Sequence, residues 1–110
     1  MYGFKELDAL QLQELMQEQG VALIDVRTPA EVSRGGIAGA KNIPLHLIPM
    51  VEQDLAKKSP VVFYCQTGAR SAQACAFMAS RGCGDVYNLR GGIMSWLRHG
   101  QPASAIEMLN

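Results

Sequence analysis

The stretch Cys65-Gln66-Thr67-Gly68-Ala69-Arg70 is the part of this chain best suited to do chemistry. An apolar run, Val61-Val62-Phe63-Tyr64, leads into it, and Ser71 opens a stretch with helical spacing after it. A thiol at such a junction lies where a strand ends and a helix begins. Backbone N–H groups and the positive helix end converge there, which builds an anion site without a metal or a partner histidine. An ordinary thiol, with a pKa of ~8.5, is only a few per cent ionised at neutral pH. Lowering it by about two units takes about 2.7 kcal/mol of differential stabilisation, and a helix end alone supplies ~0.3–1 kcal/mol. Inward-turned loop amides must add the rest. Gly68 allows the positive φ that turns them. Gln66, Thr67 and Ala69 are small or polar enough to leave the sulfur accessible. Arg70 is expected to brace the loop from its far end, because a guanidinium binds a carboxylate or loop carbonyls in bidentate fashion.

The elements that must position this loop can be read from the pattern. Asp8 caps a helix beginning at Ala9, with Gln11 at the capping-box offset, Leu12, Leu15 and Met16 on one face, and Gly20 as a stop. Val21 to Val26 is a nearly unbroken apolar run, as expected of a strand buried on both faces of a parallel sheet. Thr28-Pro29-Ala30-Glu31 reads as a short helix start, ended by Gly35-Gly36. Ile37 to Ile43 predicts a turn and a short strand closed by Pro44. Pro49 to Lys58 predicts a helix burying Met50, Val51 and Leu55. Val61 to Tyr64 is the next strand, Ser71 to Arg81 a helix ended by Gly82, and Asp85 to Leu89 the last strand. Gly91-Gly92 then precedes a final helix over Ile93 to Arg98. This alternation predicts an α/β fold with a mostly parallel sheet and helices on both faces. Ligands bind beyond the carboxyl ends of such strands. Asp25 with Arg27, Cys65, and Arg90 with Gly91 all fall at those ends, so they should meet along one sheet edge.

Composition narrows the setting. The 110 residues suit a single domain over 1–110, with 101–110 expected to form a flexible tail. Charge is balanced, with 10 basic and 10 acidic residues, so no nucleic acid or acidic membrane surface is indicated as a partner. No apolar stretch approaches the ~18 residues of a membrane span, and residues 1–6 carry no secretory pattern. Three cysteines without paired spacing argue against both a disulfide framework and a zinc site. A reduced, cytoplasmic protein with no metal or cofactor is the expectation.

Four segments, in order, resemble the rhodanese-like family of single-domain sulfurtransferases. They are Leu23-Ile24-Asp25-Val26-Arg27 with Pro29 and Glu31; Ile37 to Pro44; Cys65 to Ser71; and Val86 to Gly92 with Trp96. The resemblance implies a three-layer domain around a five-stranded sheet. It also implies that Cys65 carries a persulfide between two half-reactions, within a loop of Gln66, Thr67, Gly68, Ala69, Arg70 and Ser71. The sulfur would pass from thiosulfate or a persulfide-type donor to cyanide or a thiol. Asp25 reads either as a strand-end cap or, as the resemblance implies, as a support of the loop together with Arg27, with a carboxylate such as Asp25 paired to Arg70. One departure is Gly36, where many relatives have histidine at a structural position, so local packing should differ there.

Two other functions compete. Cysteine-dependent phosphatases of related fold place five residues between cysteine and arginine, whereas here four intervene, Gln66 to Ala69. The shorter loop leaves less room for a tetrahedral phosphate, and Tyr64 stands where those enzymes usually carry histidine. A non-catalytic binding or regulatory module is the other alternative, against which Cys65, Gly68 and Arg70 argue. Among remaining residues, Cys75 reads as core and Cys83 as small apolar filler, or else as a thiol resolving the Cys65 persulfide. Arg90 reads as a solvated charge able to steer anions, His46 and His99 as surface residues, and Trp96 as the pin of the last helix.

Overall fold

The computed structural model describes residues 3–108. The order of elements is β1 (Lys5–Leu7), α1 (Ala9–Glu18), β2 (Ala22–Asp25), α2 (Pro29–Val32), β3 (Lys41–Asn42), α3 (Ile48–Ala56), β4 (Val61–Tyr64), α4 (Ala69–Ser80), β5 (Val86–Leu89), α5 (Gly92–Arg98) and β6 (Glu107–Met108). The strands form one parallel sheet in the order β1-β5-β4-β2-β3-β6. The sheet therefore has six strands, not the expected five. Its outermost strands, Lys5-Glu6-Leu7 and Glu107-Met108, carry no apolar run of their own. Main-chain pairing to β5 and β3 makes them strands, so only the inner ones announce themselves by side-chain pattern.

Alternation along β4 divides the core into two layers. Val61, Phe63 and Cys65 face one way, with Ala74, Cys75 and Met78 of α4 and Ile48 and Leu55 of α3. Val62 and Tyr64 face the other, with Ala9 and Leu12 of α1 and Ile93 and Trp96 of α5. The result is helix, sheet, helix. Two helices differ from expectation. α3 starts at Ile48, which is buried, and this turns Met50 out to 79% exposure in place of the buried role predicted for it. α4 starts at Ala69, because Gly68 at φ +107° already caps it.

The C-terminal segment is docked rather than loose. Gly36 and Ser104 exchange backbone hydrogen bonds of 2.6 and 2.7 Å, and Trp96 Nε1 donates to Pro102 O at 3.3 Å. A Cβ on Gly36 would lie 2.9 Å from both Ile106 Cδ1 and the Tyr64 hydroxyl. Glycine at this position thus lets the tail close over Tyr64. Met1, Tyr2, Leu109 and Asn110, at the two chain ends, lie outside the described residues.

From β2 the chain crosses to β3 on one side, whereas from β4 it crosses to β5 on the other. The carboxyl ends of β2 and β4 therefore flank a switch point, the usual position of a ligand crevice in such sheets.

Candidate active site

Cys65 follows directly on β4, and the next six residues wrap around its sulfur. Two backbone bonds shape this wrap: Ile93 N–H donates to Cys65 O at 2.9 Å and Met94 N–H to Gln66 O at 3.2 Å. A trans peptide directs its N–H away from its carbonyl. With both carbonyls drawn to the start of α5, the N–H groups of Gln66 and Thr67 turn into the loop. Gly92 makes this approach possible, since at φ +61° a Cβ there would sit 2.5 Å from both carbonyl oxygens. The N–H of Gly68 completes the cradle, donating to Cys65 Sγ at 3.1 Å, and Ser71 Oγ lies 3.4 Å from the same sulfur.

Burial alone would push the Cys65 thiol up. It is outweighed by the Ser71 hydroxyl and by the N–H groups of Ser71, Gly68 and Thr67, so the thiol is held below its ordinary range. The other cysteines are unlike it. Cys75 is fully buried in α4 and desolvation pushes it up to about 12, which leaves an inert thiol. Cys83 lies beside Val61 and Val86 at the amino ends of β4 and β5. The length of β4, ~13 Å at a strand's rise, separates it from Cys65. A bridge needs Cα atoms within ~7 Å, so the resolving role considered for Cys83 is not supported by this placement.

Arg70 braces the loop as expected, but with a different partner. Its guanidinium takes Glu31 in a fork, Nη1 to Oε1 at 2.7 Å and Nη2 to Oε2 at 2.8 Å. Asp25 is occupied by its near neighbour. Arg27 donates to it from the backbone at 2.9 Å and from Nε and Nη2 at 2.7–3.0 Å, with both residues almost fully buried. The expected Asp25–Arg70 pair is therefore replaced by two separate pairs. Arg27 also donates to Gly35 O at 2.8 Å, tying β2 to the end of α2. Asp25 and Arg27 thus hold the frame behind the loop without touching the sulfur.

Gln66 is half-buried with its amide on Met94 Sδ at 3.2 Å, while Thr67 and Ala69 are exposed. Arg90 is 62% exposed, 4.0 Å from Asp8, and lies outside the cradle. An apolar groove of about 320 Å³ opens beside Arg70, lined by Val26, Pro29, Pro44, Leu45 and the exposed His46. Among the described residues, no cluster of three or more His, Cys, Asp or Glu side chains could hold a metal. No helix among them is long and apolar enough to cross a membrane.

Glu31 and Asn88 were missed as site residues. Glu31 is legible as half of a capping box and as part of a segment that carries the resemblance, neither of which pairs it with Arg70. Asn88, buried near the end of β5 and bonded to Ser71, is legible as a polar residue within an apolar run and as part of a resembling segment, neither of which gives it a role.

The profile of the rhodanese-like domain family matches residues 8–99. The chain belongs to the rhodanese-like family. This rhodanese-like chain is 48% identical over 103 residues to a sulfurtransferase of Allochromatium vinosum, covering 93% of this chain and 96% of that protein. It is 35% identical to the thiosulfate sulfurtransferase GlpE of Pseudomonas fluorescens, covering 87% of each. Its fold matches a crystal structure of a rhodanese-related protein from Thermoplasma volcanium with a TM-score of 0.81 at 30% identity, over 90% of this chain and 96% of that one. All four segments that carried the resemblance lie within the spans or at the sites described above.

Proposed function

We propose that this rhodanese-like domain is a sulfurtransferase in which Cys65 carries sulfur between a sulfane donor and a thiol or cyanide acceptor. The observation that carries this reading is the Cys65 cradle: one buried sulfur, an amide donor at 3.1 Å, a hydroxyl at 3.4 Å and a lowered thiol pKa. In the first half-reaction the thiolate attacks the donor's outer sulfur. A new S–S bond forms as the old one breaks, and its electron pair leaves on sulfite or on a thiolate. In the second, the acceptor attacks that outer sulfur and Cys65 leaves as the thiolate. No general base is needed once the thiolate that the cradle favours has formed, and each leaving group is a stable anion. The reducing cytoplasm would keep the thiol available.

The donor preferred by this geometry is a persulfide of an organic thiol over thiosulfate. Arg70, the loop's one cation, is taken up by Glu31, which leaves little electrostatic capture for a small dianion. The apolar groove beside Arg70 offers room for the carbon body of a thiol compound. Steady-state kinetics with a small-thiol persulfide and with thiosulfate, in parallel, should give the higher kcat/KM for the persulfide. A strong preference for thiosulfate contradicts this donor assignment. Activity with an aryl phosphate, or an intact cradle that accepts sulfur from no donor, would favour the phosphatase or the binding module instead.

A further inference from the structure

One hydroxyl beneath the loop faces two acceptors. Ser71 Oγ lies 3.4 Å from Cys65 Sγ and 2.6 Å from Asn88 Oδ1. A hydroxyl has a single proton and donates it in one direction at a time. The Asn88 amide is not free to turn over. Its Nδ2 donates to Gly68 O and to Glu6 Oε2, each at 3.2 Å, and a reversed amide would set its oxygen against two acceptors. Asn88 Oδ1 therefore faces Ser71 as an acceptor. Cys65, Ser71 and Asn88 are each at most 2% exposed, so bulk water does not relieve the competition.

Resting on the reading of Cys65 as the nucleophile, we propose that Asn88 is a positioning residue that tunes Cys65 by competing with its sulfur for the single Ser71 proton. While the sulfur is a thiol, Ser71 donates along the shorter line, to Asn88. When the sulfur ionises it becomes the stronger acceptor, and the hydroxyl swings to it and gives up the 2.6 Å bond. The thiolate gains only the difference between the two bonds. Asn88 thus holds the nucleophile less acidic than the cradle could make it, while its amide nitrogen keeps Gly68 in place.

The other charged and titratable groups around the sulfur do not substitute for Ser71. Arg70, on the first turn of α4, is forked to Glu31 of α2. Cys75, further along α4, is pushed up by burial to about 12 and stays protonated. Asp25 of β2 is matched by Arg27, and Glu6 of β1 reaches the Asn88 amide rather than the sulfur. Among the described residues, Ser71 supplies the only side-chain hydrogen bond to Sγ.

The test is a pH titration of the Cys65 thiolate by its ultraviolet absorbance, with Cys65→Ser as the blank. It compares wild type with Asn88→Leu and Asn88→Ala, each made with and without Ser71→Ala. Either Asn88 substitution should lower the Cys65 midpoint by up to about one pH unit, the worth of the neutral Ser71–Asn88 hydrogen bond that ionisation no longer has to break. Ser71→Ala should raise it. In the Ser71→Ala background, replacing Asn88 should move the midpoint far less, a dependence that a merely structural role for Asn88 does not produce. Midpoints that stay put or rise on replacing Asn88, or that shift equally in both backgrounds, overturn the proposal. A cooperative melt qualifies each variant, and Asn88→Ala, which only removes atoms, keeps the test open should Asn88→Leu fail to fold. No sulfur donor enters the titration. A protein that accepted no sulfur would refute the assigned function while leaving this result readable.

Discussion

Glu31 links two elements through one carboxylate. Oε1 accepts from Thr28 N–H at 3.0 Å, which caps α2, while both oxygens take the Arg70 fork. Arg70 is the main reason that Glu31 lies well below the carboxylate range, at about 2 against an ordinary 4.5. The folded value is the depressed one, so the added stability is fully present above the unfolded pKa and is lost as pH falls from about 4.5 towards 2. With the pair about a third exposed, solvent screening reduces its worth to about 1 kcal/mol. Denaturant unfolding across that range should show the loss in wild type and a flatter acid limb in Glu31→Gln; equal limbs would count against the pair. Asp25→Asn should do more damage, about 3–5 kcal/mol, because it leaves the Arg27 guanidinium buried and unpaired. Replacing both residues with apolar ones of similar size should recover much of that loss in the same unfolding measurement. The capping role of Glu31 was legible because its signal is local, three residues from Thr28. Its bond to Arg70 spans 39 positions, and no pattern in a single sequence specifies which carboxylate meets which guanidinium across a sheet edge.

At the scale of elements, the cradle depends on α5 as much as on the cysteine loop. The first N–H groups of α5 hold the Cys65 and Gln66 carbonyls, and Gly92 lets the two backbones approach. Gly92→Ala combines a left-handed backbone with a steric clash, for which a loss of about 1–3 kcal/mol is expected. The loop amides should rotate off the sulfur, so the rate of sulfur loading should fall at least ~tenfold, more than 1.4 kcal/mol in the barrier. Melting curves and loading rates measured together check this, and unchanged loading in a folded Gly92→Ala protein would contradict it. Inner strands such as Val61–Tyr64 could be read because burial on both faces leaves an unbroken apolar run. The capping residues Asp8 and Thr28 likewise appear at the offsets their bonds require. Edge strands gave no such signal. α3 departs from its pattern because Pro49 marks a helix start, yet the buried Ile48 before it already belongs to the helix.

For the whole molecule, the tail is the least legible part and the one that closes the far edge of the sheet. The family match ends at residue 99, yet Ser104 pairs with Gly36 and β6 extends the sheet beyond β3. Small and polar residues at 101–105 resemble a free end. Only the fold shows that Ile106 covers a glycine and that Trp96 is bonded back to Pro102. Gly36→Ala should press on Ile106 and Tyr64, cost about 1–3 kcal/mol by overpacking, and speed amide exchange over 101–108 before the rest of the chain. Exchange that stays slow there, with an unchanged melt, would show that the tail is not held through this contact. In the proposed function all these parts serve one sulfur. The most direct test of its role is intact-mass and peptide mass spectrometry after treatment with a small-thiol persulfide. Wild type should gain one sulfur atom, located on Cys65 and released by cyanide, and Cys65→Ala should gain none there. No gain on Cys65 in wild type, or an equal cyanide-labile gain in Cys65→Ala, would contradict the account.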